Sequence, residues 1–398
     1  MRILVCDWDF PYPPRGGGRA DIWRRIQAFS RLGHEVMLLN QYDPTGHRPP
    51  TDEAVAQVDS VVKARFSFPI KRSRTRTARQ LLTLARLPWR VATRVPDAAE
   101  RAAIERQVRE FAPDLIWLDG PWFGEIGMRL HRETGAPIAY RSHNVEHVYL
   151  GRQAAAAARL RDRIAWRIAA VGLERYQLRL MSEAAMVFDI SLDDMEYWRR
   201  RGVTNIRWLP PLPELALTEP PVQRTPTDVL FVGGLRTPNN VQGVRWLVER
   251  VLPLLLRAMP GLVMGVVGAH PLPELQAELA AIPAVRTFYD VADVTRFQFG
   301  ARVLVNPVAV GSGVQLKMLD MLMTDAPIVT RSQGLSGLPA SCAAQFDVAD
   351  DEEEFAARVL ARLKDGGIDR AARAEVRRQF AVEAVQEALS AIPPPRPD

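Results

Sequence analysis

Apolar residues follow two rhythms along the chain. Short unbroken runs, Arg2-Ile-Leu-Val-Cys6, His34-Glu-Val-Met-Leu-Leu39, Leu115-Ile-Trp-Leu118 and Pro137-Ile-Ala-Tyr140, have the form of strands buried on both faces. Between them, apolar residues three and four apart predict helices over Ala20 to Leu32, stopped by Gly33, and over Gly124 to Arg132. Gln153 to Leu180, rich in Ala and Arg, predicts one long helix ahead of a strand at Ala185-Met-Val-Phe-Asp-Ile190. Strands alternating with helices imply a parallel α/β sheet covered on both sides.

The rhythm stops at Trp208-Leu-Pro-Pro-Leu-Pro213, Pro220-Pro221 and Pro226, because proline continues neither a helix nor a central strand. It resumes with a strand at Asp228-Val-Leu-Phe-Val-Gly-Gly234 and a helix from Val241 to Met259. Strands follow at Leu262 to Gly268 and Val303 to Pro307, then a helix from Val314 to Met323 and a strand from Pro327 to Thr330. Phe355 to Leu363 and Arg370 to Leu389 predict closing helices. The expected organisation is a first doubly wound domain over 1–207, a proline-rich linker over 208–227 and a second such domain over 228–375. A terminal helix with a loose tail, 376–398, is expected to cross back to the first domain.

Length agrees, since 398 residues exceed the roughly 250–300 that one core serves. With 47% hydrophobic and 25% charged side chains the composition is globular, which excludes disordered and fibrous classes. Two cysteines, Cys6 and Cys342, are too few for a disulfide framework and fit a reducing cytosol. No apolar run approaches a membrane span, and Met1 to Asp7 predicts no signal peptide. The net charge of +6 admits anionic small molecules, a membrane surface or nucleic acid, although no nucleic-acid module appears. Only four of the 52 basic residues are lysines, so a lysine's position is more informative than an arginine's. Lys71 to Arg94 carries eight basic residues and no acidic one, interleaved with leucines. That segment suits an anionic membrane surface, or equally a solvated basic face.

Three places could carry chemistry. Gly311-Ser-Gly313 precedes the predicted helix holding Lys317 and Asp320. Such a turn lets backbone amides and an ammonium meet a phosphate, with a carboxylate for ribose hydroxyls, but the same residues also make an ordinary glycine turn with an exposed Lys–Asp pair. Gly16-Gly17-Gly18 before the first helix is not the dinucleotide fingerprint, which weakens a dehydrogenase reading; it is a close-approach loop or a flexible one. His143, in Arg141-Ser-His-Asn-Val-Glu-His147, follows a strand at the edge where open α/β sheets bind ligands, and it is either functional or a satisfied structural histidine. With His147 and Glu146 it makes a poor zinc site, so no metal is expected. Hydrolase-elbow, ATPase phosphate-loop and metalloprotease motifs are absent.

The order of these segments resembles the GT-B fold, two Rossmann-like domains facing each other across a cleft, and specifically the retaining glycosyltransferases of family four. The matching stretches are Pro11 to Arg19 with Arg31 to Val36, Ser142 to Glu146, Leu230 to Leu235 with Pro238-Asn-Asn240, Gly311 to Asp320, Pro327 to Thr330 and Gly334 to Leu338. The resemblance implies a metal-independent, hexosyl-type transferase with no cofactor beyond its nucleotide-sugar donor. The acceptor would be a sugar, glycolipid or other hydroxyl compound, and the product a surface polysaccharide or glycoconjugate. The implied location is cytoplasmic, peripheral on the inner face of the membrane through 71–94, without nucleic acid. It further implies that Gly17 and Gly18 lie beside the donor phosphate and sugar, and that His143 bonds the sugar near its reacting face. Gly311, Ser312, Gly313, Lys317 and Arg236 would serve the pyrophosphate, Asp320 the ribose, and Arg19, Asn144 and Glu146 the acceptor side. The sequence departs from the family where two glutamates eight apart are commonly found, here Ser312 and Asp320. An Arg and a Lys that often follow the second domain's first strand are here Gly234 and Asn239 or Asn240. Two alternatives remain: a catalytically silent GT-B binding subunit, and a nucleotide-sugar epimerase of the same fold.

Overall fold

In the computed structural model the described residues are 1–14, 16–44, 50–70, 83, 86–157, 159–214, 220–291, 293–311 and 313–393. Ser312 and most of the basic segment, 71–82 and 84–85, lie outside them. The chain divides into one unit of Met1–Pro210 with Val382–Asp398, and a second of Pro211–Ala381. The changeovers therefore fall at Pro210 and at Ala381, not at residues 207 and 376. Trp208 belongs to a strand and Thr227 opens the next one, which shortens the connector to 209–226.

The first unit is a seven-stranded sheet in the order β3-β2-β1-β4-β5-β6-β7, parallel throughout. Its strands are β1 (Arg2–Asp7), β2 (Glu35–Tyr42), β3 (Ala64–Pro69), β4 (Leu115–Asp119), β5 (Ile138–Ser142), β6 (Met186–Asp189) and β7 (Ile206–Trp208). The central strands are the apolar runs read from the sequence, and Ile3, Leu4, Val5, Ile116, Trp117, Leu118 and Ala139 are completely buried. β3 and β7 are edge strands that the pattern did not reveal. β3 has only Phe68 fully inside, and β7 is three residues long, so neither carries an apolar run. The second unit is a six-stranded parallel sheet, β10-β9-β8-β11-β12-β13. Its strands are β8 (Thr227–Val232), β9 (Met264–Gly268), β10 (Val285–Tyr289), β11 (Ala301–Asn306), β12 (Ile328–Thr330) and β13 (Asp347–Val348). Each unit has its own core, one around Leu4, Leu118, Tyr140 and Trp198, the other around Phe231, Val266, Val305 and Phe355.

Three helix predictions need correction. The stretch expected as one helix over Gln153 to Leu180 is three, Glu146–Ala156, Leu160–Ala170 and Leu173–Glu183; the last break is at Gly172, whose φ of 76° reverses the backbone. The helix expected over Val241 to Met259 runs as Pro238–Trp246, a π-turn Leu247–Val251 and Leu252–Ala258. Pro253 lacks the N–H that would close the ordinary helical bond, and the wider turn absorbs the loss. Arg370–Arg378 and Val382–Ser390 are separate helices. The second returns to the first unit, where Gln386 Oε1 lies 3.1 Å from His34 Nε2 and the helix packs on α1 (Gly17–Arg31). Among the described residues no helix is long and apolar enough to cross a membrane.

Candidate functional site

In the first unit the strand order reverses between β1 and β4, and their carboxyl ends bring Asp7 and Asp119 to one edge beside Arg141, Ser142 and His143 of β5 and its exit. α1 starts at this edge and turns Asp21 and Arg25 into the same polar cluster. His143 Nε2 lies 2.7 Å from Asp119 Oδ1, and its Nδ1 is 3.5 Å from Asp21 Oδ2. Trp117 Nε1 donates to the other Asp119 oxygen at 2.9 Å. Burial pushes the His143 imidazole down, but the hydrogen bond and charge of Asp119, with the charge of Asp21, outweigh it and raise its pKa above the ordinary 6.5. His143 thus lies between two carboxylates that favour its protonated form.

Arg141, completely buried, forks onto Asp21, Nη2 donating to Oδ1 at 3.1 Å and Nε to Oδ2 at 3.2 Å, and donates to the Leu209 carbonyl at 2.6 Å. Arg25 donates to the Pro210 carbonyl at 2.7 Å. Burial opposes the Asp21 charge, but the Arg141, His143 and Arg25 charges hold it below its usual value. Asp7 differs. Burial, then the charge of Asp119, drives its carboxyl well above the carboxylate range, which favours the neutral form. The cluster secures both the histidine and the carbonyls at which the chain leaves this unit.

α1 has Gly16 as its N-cap, no side-chain cap and no acidic residue in its first turn, which leaves the Gly17 and Gly18 backbone exposed. Among the described residues nothing lies within 4 Å of where a Gly18 Cβ would stand. Arg19 is ion-paired with Asp9, and Asp9 also accepts from the Phe10 N–H at 2.9 Å. Glu146 is buried, and desolvation raises its carboxyl to about 7 against the lowering influence of His143 and of a hydrogen bond from Asn144. Gln177, which sequence reasoning missed, organises this loop. Its Oε1 accepts from the Glu146 N–H at 3.1 Å, and its Nε2 donates to the Asn144 carbonyl at 3.1 Å. His147 is a structural histidine, 3.0 Å from the Tyr197 hydroxyl.

In the second unit the order reverses between β8 and β11, and the elements leaving these strands carry the other candidates. The helix after β11 is Leu316–Leu322, shorter than expected, so Gly311 and Gly313 do not open it and Lys317 is its second residue. Gly313, with φ 69°, turns the loop into position. Lys317 Nζ donates to Asn240 Oδ1 at 2.8 Å and lies 4.8 Å from the Phe231 ring centre. Asn240 Nδ2 in turn donates to the Gly234 carbonyl at 3.0 Å. Among the described residues Lys317 has no carboxylate partner, and burial lowers its pKa to about 7. An ammonium desolvated without a counter-charge is a receptor for an anion. Asn240 emerges as its orienting partner; the only sequence signal was the Pro238-Asn-Asn240 stretch.

The other residues expected here are placed differently. Asp320 Oδ1 accepts from the Glu214 N–H at 2.8 Å, so this carboxylate anchors the incoming connector. Arg236 is exposed in the turn after β8. Asn306, at the end of β11, is completely buried and donates to Gln315 Oε1 at 3.3 Å. Beside it a Cβ on Gly334 would stand 2.2 Å from Thr330 Oγ1, so only glycine lets this loop close over the strand ends.

Two doubly wound parallel sheets, each with polar residues gathered where its strand order reverses, make this the GT-B fold of glycosyltransferases. No family model matches the chain. It is 24% identical over 371 residues, 90% of each chain, to an uncharacterized 44.6 kDa protein in the cps region of Klebsiella pneumoniae. It is similar in structure to Anabaena HepE in complex with UDP, with a TM-score of 0.64 at 13% identity, covering 98% of this chain and 100% of that one. HepE is also known in complex with UDP-glucose. WaaG, a glycosyltransferase involved in lipopolysaccharide biosynthesis, is similar with a TM-score of 0.56 at 14% identity, covering 98% and 100%.

Proposed function

We propose that the chain is a retaining glycosyltransferase that moves a hexosyl group from a nucleotide-sugar donor to a sugar, glycolipid or other hydroxyl acceptor in surface polysaccharide biosynthesis. The observation that carries the reading is Lys317, a desolvated ammonium beside the strand-order reversal of the second unit whose hydrogen-bond partner is the neutral Asn240. When the bond between the anomeric carbon and the diphosphate breaks, the electron pair leaves with the diphosphate oxygen. Lys317 then neutralises the charge that develops there, a role a divalent cation takes in other transferases. Gly311 and Gly313 offer backbone N–H groups to the same diphosphate, and Arg236 adds charge. In the first unit the uncapped start of α1 at Gly17 and Gly18 and the His143 ring serve the transferred sugar, with Arg19, Asn144 and Glu146 on the acceptor side. Support for the donor class comes from HepE, known with UDP and UDP-glucose, and for the pathway from WaaG and the relative in the cps region.

A second reading, a silent binding subunit, is favoured by Asp320, one of whose oxygens is committed to the connector rather than to a ribose. The two separate in an assay of UDP-, GDP-, ADP- and CMP-hexoses with EDTA present, followed by mass spectrometry. Nucleotide release that rises with a glycan acceptor and is lost in Lys317→Ala supports the transferase. Conversion of the donor to an isomer without acceptor identifies an epimerase, and no turnover of any donor leaves the binding subunit.

A further inference from the structure

The helix Leu160–Ala170 has its polarity reversed. Toward the protein it turns Ala169 and Trp166, the latter stacked under the Arg90 guanidinium at 5.1 Å. Outward it presents Leu160, Ile164 and Ile168, continued by Val171, at 67, 48, 55 and 69% exposure. At 3.6 residues per turn these four fall within an arc of roughly 80°. They are four of the eight large apolar side chains exposed among the described residues, and the other four, Met1, Val222, Leu272 and Val310, are scattered. A continuous stripe of this kind marks an interaction surface rather than ordinary surface composition.

The charges around the stripe say what it meets. Arg161 stands on one shoulder, paired with the helix's one acid, Asp162, at 3.4 Å; Arg167 stands on the other beside the half-buried Arg163, which donates to the Ala157 carbonyl, and Arg159 precedes the helix. An apolar ridge with arginines on both flanks matches the boundary between acyl chains and anionic headgroups. A second copy of the chain fits poorly, because a two-fold contact would set the arginine borders against each other. Four side chains also fall well short of the roughly 800 Å² per partner of a stable interface.

We propose that this stripe docks the protein on an anionic lipid surface, with Leu160, Ile164, Ile168 and Val171 entering the interface and the flanking arginines pairing with lipid phosphates. The inference does not depend on the donor chemistry. The test is co-sedimentation of the full chain with vesicles of phosphatidylglycerol and phosphatidylcholine, compared with phosphatidylcholine alone. Binding is expected to the anionic vesicles and to weaken with salt. Ile164→Glu/Ile168→Glu should lower it at least about tenfold, since two apolar anchors become charged. Arg161→Gln/Arg167→Gln should lower it and flatten the salt dependence. Circular dichroism melts check that both variants fold, as expected for exposed positions. Absence of wild-type binding, or wild-type affinity in the isoleucine variant, overturns the proposal, as does a wild-type dimer by light scattering that this variant dissolves.

Discussion

The titration of Lys317 ties the local geometry to ligand affinity. Its pKa near 7 means that at pH 7 about half the free protein carries the ammonium, and at pH 9 about one part in a hundred. A bound diphosphate supplies the missing counter-charge and raises that pKa, so binding takes up a proton whenever the free lysine is neutral. Affinity for a nucleoside diphosphate should therefore fall about 50-fold between pH 7 and pH 9, about 2.3 kcal/mol. The sign is set by the cation: protonation favours binding, so affinity drops as pH rises. The ligand's phosphate does not confuse the result, because a terminal phosphate with a second pKa near 6 is largely ionised over this range. Calorimetric titrations of UDP, GDP, ADP and CMP from pH 7 to 9, in buffers of differing ionisation enthalpy, measure both affinity and proton uptake. Lys317→Ala should weaken binding at pH 7 by about 10- to 100-fold, as for a lost hydrogen bond to a charged group, and remove most of the pH slope. Wild-type affinity that stays constant from pH 7 to 9, or an equal slope in the variant, would refute the reasoning.

Asp119→Asn should keep the bond from Trp117 through the amide oxygen while offering an N–H₂ donor to His143 Nε2, which disfavours the imidazolium; the His143 pKa, followed by NMR titration of the ring, should fall, and an unchanged titration argues against the pairing. Because that pKa is raised in the fold, His143 contributes stability below its ordinary 6.5 that is lost as pH climbs through the folded value, a dependence that His143→Gln should abolish in urea unfolding. Arg141→Met should destabilise the first unit by about 3–5 kcal/mol by stranding the buried Asp21 carboxylate, with part recovered in Arg141→Met/Asp21→Asn. Tryptophan fluorescence during urea unfolding reports this unit selectively, since Trp246 is the only one of nine tryptophans in the other, and a loss below about 1 kcal/mol would contradict the assigned pair.

Much of the architecture was legible in the chain itself. A central strand of a parallel sheet is buried on both faces, so Ile3 to Cys6, Leu115 to Leu118 and Val303 to Val305 announce themselves as apolar runs, and the prolines after Trp208 announce the connector. Edge strands such as β10, only partly buried along its length, lack that signature. Helix breaks were harder to read, because Gly172 ends a helix by its φ while the residues on either side keep a helical composition.

What the sequence determined by itself was the backbone plan and the residue types within it: two parallel sheets, glycines at the turns that need them, and a lysine where lysines are rare. Only the tertiary structure decided which of those residues meet. His143 faces Asp119 from 24 positions away, Lys317 meets Asn240 across 77, and Arg141 grips Asp21 across 120. Local periodicity follows from dihedral angles and burial, which neighbouring residues report together. Side-chain pairing depends on the register of strands far apart in sequence, and on the desolvation that makes each partner necessary to the other.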